Sequence, residues 1–245
     1  NDRRRCVKKH YHILTAFLLL ALCGSGCASL STSTSAPEKR IVQISTIDAL
    51  LAASYEGQTS GKELLSYGDS GIGTFENLDG EMIIKDSKIY QIKSDGKVYQ
   101  PDASIKTPFA SVTKAGELTS FPLSTGMNLK ALEAYVDSKI PEKNHPVFIR
   151  IDGSFKKMIT RSVPAQKKPY PPLVEVTKTQ PVFENSNVQG TVIGFRSPAY
   201  VKGINVPGYH LHFLSDDLKS GGHILNFEIE KADLKIGRAS CRERV

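Results

Sequence analysis

Apolar residues recur along this chain with two periods, one suited to helices in short stretches and one suited to strands almost everywhere else. From Leu129 to Ile140 (LKALEAYVDSKI), residues Leu129, Leu132, Val136 and Ile140 share one helical face, and Pro141 ends the run. Ile47 to Ala53 (IDALLAA) predicts a shorter apolar helix with Thr46 or Ser45 as its N-cap. Short strands are predicted at Ile83–Asp86, Lys88–Lys93, Val147–Ile151, Lys157–Ser162, Val188–Phe195, Tyr209–Leu214 and His223–Ile229. Gly, Asp and Asn separate them, as in Leu78-Asp79-Gly80 and Ser94-Asp95-Gly96. Each half of the chain offers one helix followed by several strands. The expected fold is therefore α+β, with two similar, mostly antiparallel halves and a boundary near residue 145.

Both ends break these periods. Arg3, Arg4, Arg5, Lys8 and Lys9 precede an apolar run from Ile13 to Leu22 and the small residues Gly24-Ser25-Gly26-Cys27. A basic segment, a short apolar segment and a small-residue exit together predict a secretory signal over residues 1–27. The run is about half the ~20 residues a membrane-spanning helix needs. Gly24-Ser25-Gly26-Cys27 also resembles a lipobox, whose Cys becomes the lipidated first residue, although Gly24 stands where Leu is usual. Lipidation at Cys27 implies a membrane anchor facing the periplasm or cell exterior, and ordinary cleavage implies free secretion. The polar stretch Ser29–Lys39 then reads as a flexible tether within residues 28–41. At the other end, Ile236–Val245 (IGRASCRERV) resembles the translation of a sequencing adapter. That decapeptide is expected to be a non-native scar with no apolar period to bury, the native chain continuing past Lys235.

Composition changes meaning once the ends are set apart. The formal charge is +7 and the sequence pI about 9.1. Residues 1–27 carry five basic groups and one acid, and residues 236–245 carry three basic groups and one acid. Residues 28–235 are left at +1 and the body, residues 42–235, near neutral, so a nucleic-acid partner is not indicated. Cys6, Cys23, Cys27 and Cys241 all lie outside that body, so disulfides and thiolate ligands are unavailable to it. Any metal must be held by His, Asp or Glu.

Three of the six histidines fall within fourteen residues, in Gly208-Tyr209-His210-Leu211-His212-Phe213-Leu214 and Gly221-Gly222-His223. Residues two apart on a strand share a face, so His210 and His212 point together while Tyr209, Leu211 and Phe213 point into packing. The polar, Gly-terminated segment Ser215–Gly222 can fold the chain into a hairpin that returns His223 to the pair. Three converging imidazoles make a facial metal site with open positions on a C-terminal-half hairpin. Zinc leads, with iron, manganese and nickel still open. His145, in the polar loop Pro141–Pro146, reads as a solvated turn residue.

Several dispersed blocks then resemble one family. They are Gly73-Thr74-Phe75, Leu78-Asp79-Gly80-Glu81-Met82-Ile83, Thr160-Arg161-Ser162-Val163-Pro164, Gln166, Lys168-Pro169-Tyr170 and Gly208-Tyr209-His210-Leu211-His212-Phe213-Leu214-Ser215-Asp216-Asp217. In this order they resemble bacterial α-acetolactate decarboxylases across nearly the whole body. The resemblance implies two similar α+β halves and zinc held by His210, His212 and His223, with no organic cofactor. It implies conversion of (S)-2-acetolactate to (R)-acetoin and carbon dioxide through a zinc-stabilised enediolate. Glu81 matches the family's catalytic glutamate, Arg161 its active-site arginine and Thr74 its substrate-contacting threonine. The family's second glutamate, near its C-terminus, has no match here. Taken without the resemblance, Glu81 is an exposed strand residue, Arg161 one basic group among several and Thr74 strand filler. Competing functions are a non-catalytic zinc-binding exported lipoprotein and another metal-dependent lyase on the same scaffold. A homodimer stays open.

Overall fold

The computed structural model describes residues 40–238 and 240–244. Expectations about the signal peptide, Cys27 and most of the tether lie outside these residues. The described residues open with β1 (Arg40–Ile44), α1 (Ile47–Leu51), β2 (Thr59–Ser60), α2 (Gly61–Tyr67) and β3 (Ser70–Thr74). Then follow β4 (Glu81–Lys85), β5 (Lys88–Ile92), β6 (Val98–Tyr99), β7 (Lys106–Thr107), β8 (Ala110–Thr113) and β9 (Thr119–Leu123). The remainder comprises α3 (Leu129–Lys139), β10 (Val147–Arg161), α4 (Leu173–Val176), β11 (Val182–Ser197), β12 (Gly208–Ser215), β13 (Gly221–Arg238) and β14 (Ser240–Arg244).

Local chemistry explains the helix starts. Thr46 is extended and its hydroxyl accepts the Ala49 amide at 3.1 Å, and Asn128 caps α3 through the Ala131 amide at 2.9 Å. The sequence reading missed α2, although Ser60 caps it through the Glu63 amide in an S-x-x-E arrangement. It also missed the one-turn α4. No helix among the described residues is long and apolar enough to cross a membrane.

Two sheets carry the fold. The first has the order β14-β1-β8-β3-β4-β5-β6, and the second β10-β11-β12-β13-β9. β10 also pairs with β13, which closes four strands of the second sheet on themselves. β2 and β7 form a separate ribbon. Pairings between these strands are antiparallel except β1–β14, so the α+β, mostly antiparallel class holds.

Alternation along the strands distributes the apolar residues into layers. Ile72, Ile83, Tyr90 and Ile92 of the first sheet meet Phe148, Ile193, Phe195 and Leu214 of the second. On the far side of the first sheet, Met82, Ile84 and Val112 pack with Leu64 of α2. On the inner face of the closed sheet, Val147, Ile149, Phe155, Phe213 and Phe227 pack with Leu132 and Val136 of α3.

Two expectations about chain organisation need correction. The change of sheet falls between Thr113 and Thr119, not near residue 145, because β9 pairs with β13 and α3 covers the second sheet. The described residues belong to one compact unit. Residues 236–238 and 240–244 are also not an unpacked tail. Ala232, Leu234 and Ile236 extend one buried face of β13, and Lys235–Arg238 pair with Val147–Arg150. β10 would otherwise leave backbone donors and acceptors open there, and the continuing strand satisfies them. Ser240–Arg244 then pair in parallel with Arg40–Ile44.

Candidate metal centre

The alternation of β12 fixes the directions of its side chains. Leu211 and Phe213 enter the inner core of the closed sheet and Tyr209 packs against it, as expected. Leu214 faces the first sheet, so His210 and His212, of the same parity, face it too. His223 lies directly opposite His212 across the hairpin. The three ring centroids are 5.0 to 5.4 Å apart, and one ligand atom from each ring falls within 4.8 Å of the others. Nitrogens of a tetrahedral zinc site with Zn–N distances of about 2.0–2.1 Å lie roughly 3.4 Å apart, so the rings must draw together by about an ångström to grip one ion.

Glu81 arrives from the other sheet. It is the first residue of β4, opposite Ile92 of β5, and shares the inter-sheet face of Ile83 and Ile92. Its Oε2 lies 3.4 Å from Nε2 of His212. Arg161 ends β10 and pairs in register with His223. Its Nε is buried without a hydrogen-bond partner, and its charge acts on Glu81 and on all three imidazoles. The residues the sequence singled out, Glu81, Arg161 and the histidines, therefore meet between the sheets although they come from distant segments.

Thr74 occupies a different place in this group. It is buried opposite Glu81 on β3, and its hydroxyl donates to the Gly80 carbonyl at 2.7 Å. Its only hydroxyl proton thus holds the turn that launches Glu81. Gly80 needs its positive φ of 87° there, and a Cβ would fall 2.3 Å from the Ile92 carbonyl.

The electrostatics favour neutral ligands and a protonated acid. Burial lowers His210 to about 4, aided by Arg161, and holds His212 and His223 well below the ordinary histidine value. Burial pushes Glu81 up to about 8 against the opposing pull of Arg161. His212 Nδ1 lies 2.9 Å from the Met82 carbonyl. A neutral ring must donate there, which leaves the Nε2 lone pair directed into the site. That Nε2 is buried and has no hydrogen-bond partner. A carbonyl-anchored imidazole with an unpartnered second nitrogen suits a metal ligand. The carbonyl anchor was not foreseen from sequence, because a backbone acceptor 130 residues away leaves no sequence signal.

The alpha-acetolactate decarboxylase family model matches residues 41–243, which include every one of these side chains. The chain belongs to that family. It is 47% identical to the alpha-acetolactate decarboxylase of Methanosarcina mazei over 196 residues, covering 80% of this chain and 68% of that protein. It is 42% identical to that of Bacillus subtilis over 202 residues, covering 82% and 79% respectively. The crystal structure of alpha-acetolactate decarboxylase from Bacillus subtilis strain 168 superposes with a TM-score of 0.81 at 41% identity, covering 84% of this chain and 88% of that one. The family is thus one of carboxy-lyases, and its fold spans both sheets.

Proposed function

We propose that this chain decarboxylates (S)-2-acetolactate to (R)-acetoin, using one zinc ion held by His210, His212 and His223. The observation that carries this reading is the meeting of a buried acid with an unpartnered imidazole nitrogen, Glu81 Oε2 to His212 Nε2, in a member of this family. The donor set fits a resident cation: three neutral imidazoles, no thiolate, and one ring anchored from behind.

2-Acetolactate is a β-keto acid. When its carboxylate leaves as carbon dioxide, the electrons of the broken C–C bond pass to the neighbouring carbonyl and give an enediolate. A bound divalent cation supplies Lewis acidity to the oxygens on which that charge collects. Arg161 offers a planar, permanently charged fork that can hold a substrate carboxylate or oxygen. Its unpartnered Nε is available for that contact. Glu81, in its protonated form, then gives its proton to the carbon that lost carbon dioxide. One proton is consumed per turnover, and solvent returns it to Glu81. Delivery from the β4 side alone produces a single enantiomer. The surrounding inter-sheet core of Ile83, Ile92 and Leu214 excludes water from the developing charge.

The test is direct. Protein loaded with one equivalent of zinc and given racemic 2-acetolactate should release acetoin and carbon dioxide in equal amounts, well above the spontaneous rate. Folded, zinc-loaded protein that releases neither overturns the proposal.

A further inference from the structure

Arg161 depends on its main chain for its position, because its Nε makes no hydrogen bond. The residues on either side fix that main chain with buried hydroxyls. Thr160 donates to the Gly221 carbonyl at 2.8 Å, a tie within the closed sheet. Ser162 donates to the Ile92 carbonyl at 2.7 Å, a tie that crosses to the other sheet. Both side chains are fully buried.

The acceptor of the second tie matters. Ile92 is the cross-strand partner of Glu81. The same carbonyl closes over Gly80, where a Cβ would stand 2.3 Å away, and the Gly80 carbonyl in turn accepts the Thr74 hydroxyl. His212 grips Met82, the residue after Glu81, from the same closed sheet. The end of β4 that presents Glu81 is therefore bound to the metal-bearing sheet through Met82 and through Ile92. One tie runs from a metal-site histidine and the other from the neighbour of Arg161.

We propose that Ser162 is a positioning residue for the decarboxylation, setting the separation between Arg161 and Glu81 without touching substrate. The proposal rests on the decarboxylase reading above. Ser162→Ala removes one oxygen from a filled site and should fold. Misplacement of reacting groups by a fraction of an ångström to an ångström costs about ten- to a hundred-fold in rate.

The experiment compares Ser162→Ala with Thr113→Val in zinc-loaded protein. Thr113 is also buried and donates to a main-chain carbonyl, that of Arg40 at 2.8 Å. It pairs with Ser70, at the end of β3 away from Thr74. Ser162→Ala should lower kcat about ten- to a hundred-fold, with KM and bound zinc nearly unchanged. Thr113→Val should lose comparable thermal stability and keep its kcat. Added to Glu81→Asp, Ser162→Ala should cost much less than it does alone, because coupled residues are not additive. The proposal is overturned by wild-type kcat in Ser162→Ala, by an equal kcat loss in Thr113→Val, or by full multiplication in the double variant. Wild-type protein inactive on 2-acetolactate overturns the decarboxylase reading first, and the brace with it.

Discussion

The histidine hairpin and the strand end that bears Glu81 place their side chains by different means. Within the hairpin, backbone register suffices: His210 and His212 alternate on β12, and His223 falls opposite His212. At the start of β4, register only sets the direction of Glu81. Its distance from the metal site depends on contacts between sheets, the Met82 carbonyl on His212 and the Ile92 carbonyl on Ser162. The difference separates two tasks. A metal site can be built from one local element, whereas a proton donor buried against it must be carried in on another.

That contrast breaks most sharply at His212, which belongs to both arrangements. His212→Ala should lose bound metal and lower turnover by about 10³-fold or more, since Lewis-acid stabilisation is worth several kcal/mol at about 1.4 kcal/mol per tenfold. Metal analysis alongside acetoin release checks this, and full metal content in the variant would contradict it.

Gly80→Ala strikes the other side. The residue must hold a positive φ against the Ile92 carbonyl, so the change should cost roughly 1–3 kcal/mol of stability. It should also reduce turnover while leaving zinc bound, because the hairpin does not depend on that turn. Loss of zinc with retained Glu81 chemistry would reverse the assignment of roles.

The effect furthest from turnover lies in the pH dependence of the metal-free protein. The folded pKa of His210 is depressed from 6.5 to about 4, and those of His212 and His223 are well below 6.5. Their contribution is full above pH 6.5 and is lost as pH falls towards 4. Glu81 is raised from 4.5 to about 8, so its contribution is full below pH 4.5 and is lost as pH rises through 8. Chelator-treated protein should therefore be most stable near pH 6.5, falling on the acid side with three groups against one. Glu81→Gln should flatten the alkaline decline and steepen the acid one. Thermal melts across pH 4–9 measure both limbs, and an unchanged alkaline limb in the variant would remove the buried acid from the account.

What the sequence made legible follows the same division. His210, His212 and His223 could be read as converging because alternation and a short loop are local properties. Glu81 and Arg161 carry no such local mark, and only the resemblance of their blocks drew attention to them. The sequence pattern predicts two strands, Val147–Ile151 and Lys157–Ser162, where the structure has the one strand β10. In the structure Gly153 lets the backbone approach β13 closely, where a Cβ would lie 2.3 Å from the Lys231 carbonyl, beside a register shift. The boundary near residue 145 failed for a related reason: β9 joins the second sheet through a pairing more than a hundred residues away in sequence. Ile236 was set aside with a charged decapeptide, yet it prolongs the alternation of Ala232 and Leu234.

The central claim is that the histidines hold the metal while Glu81 performs the proton chemistry. Bound zinc and acetoin release, measured together on Glu81→Gln, test it most directly. The account predicts one zinc per chain and turnover reduced by about 10²–10⁴-fold. Wild-type turnover in that variant, or loss of its zinc, would contradict it.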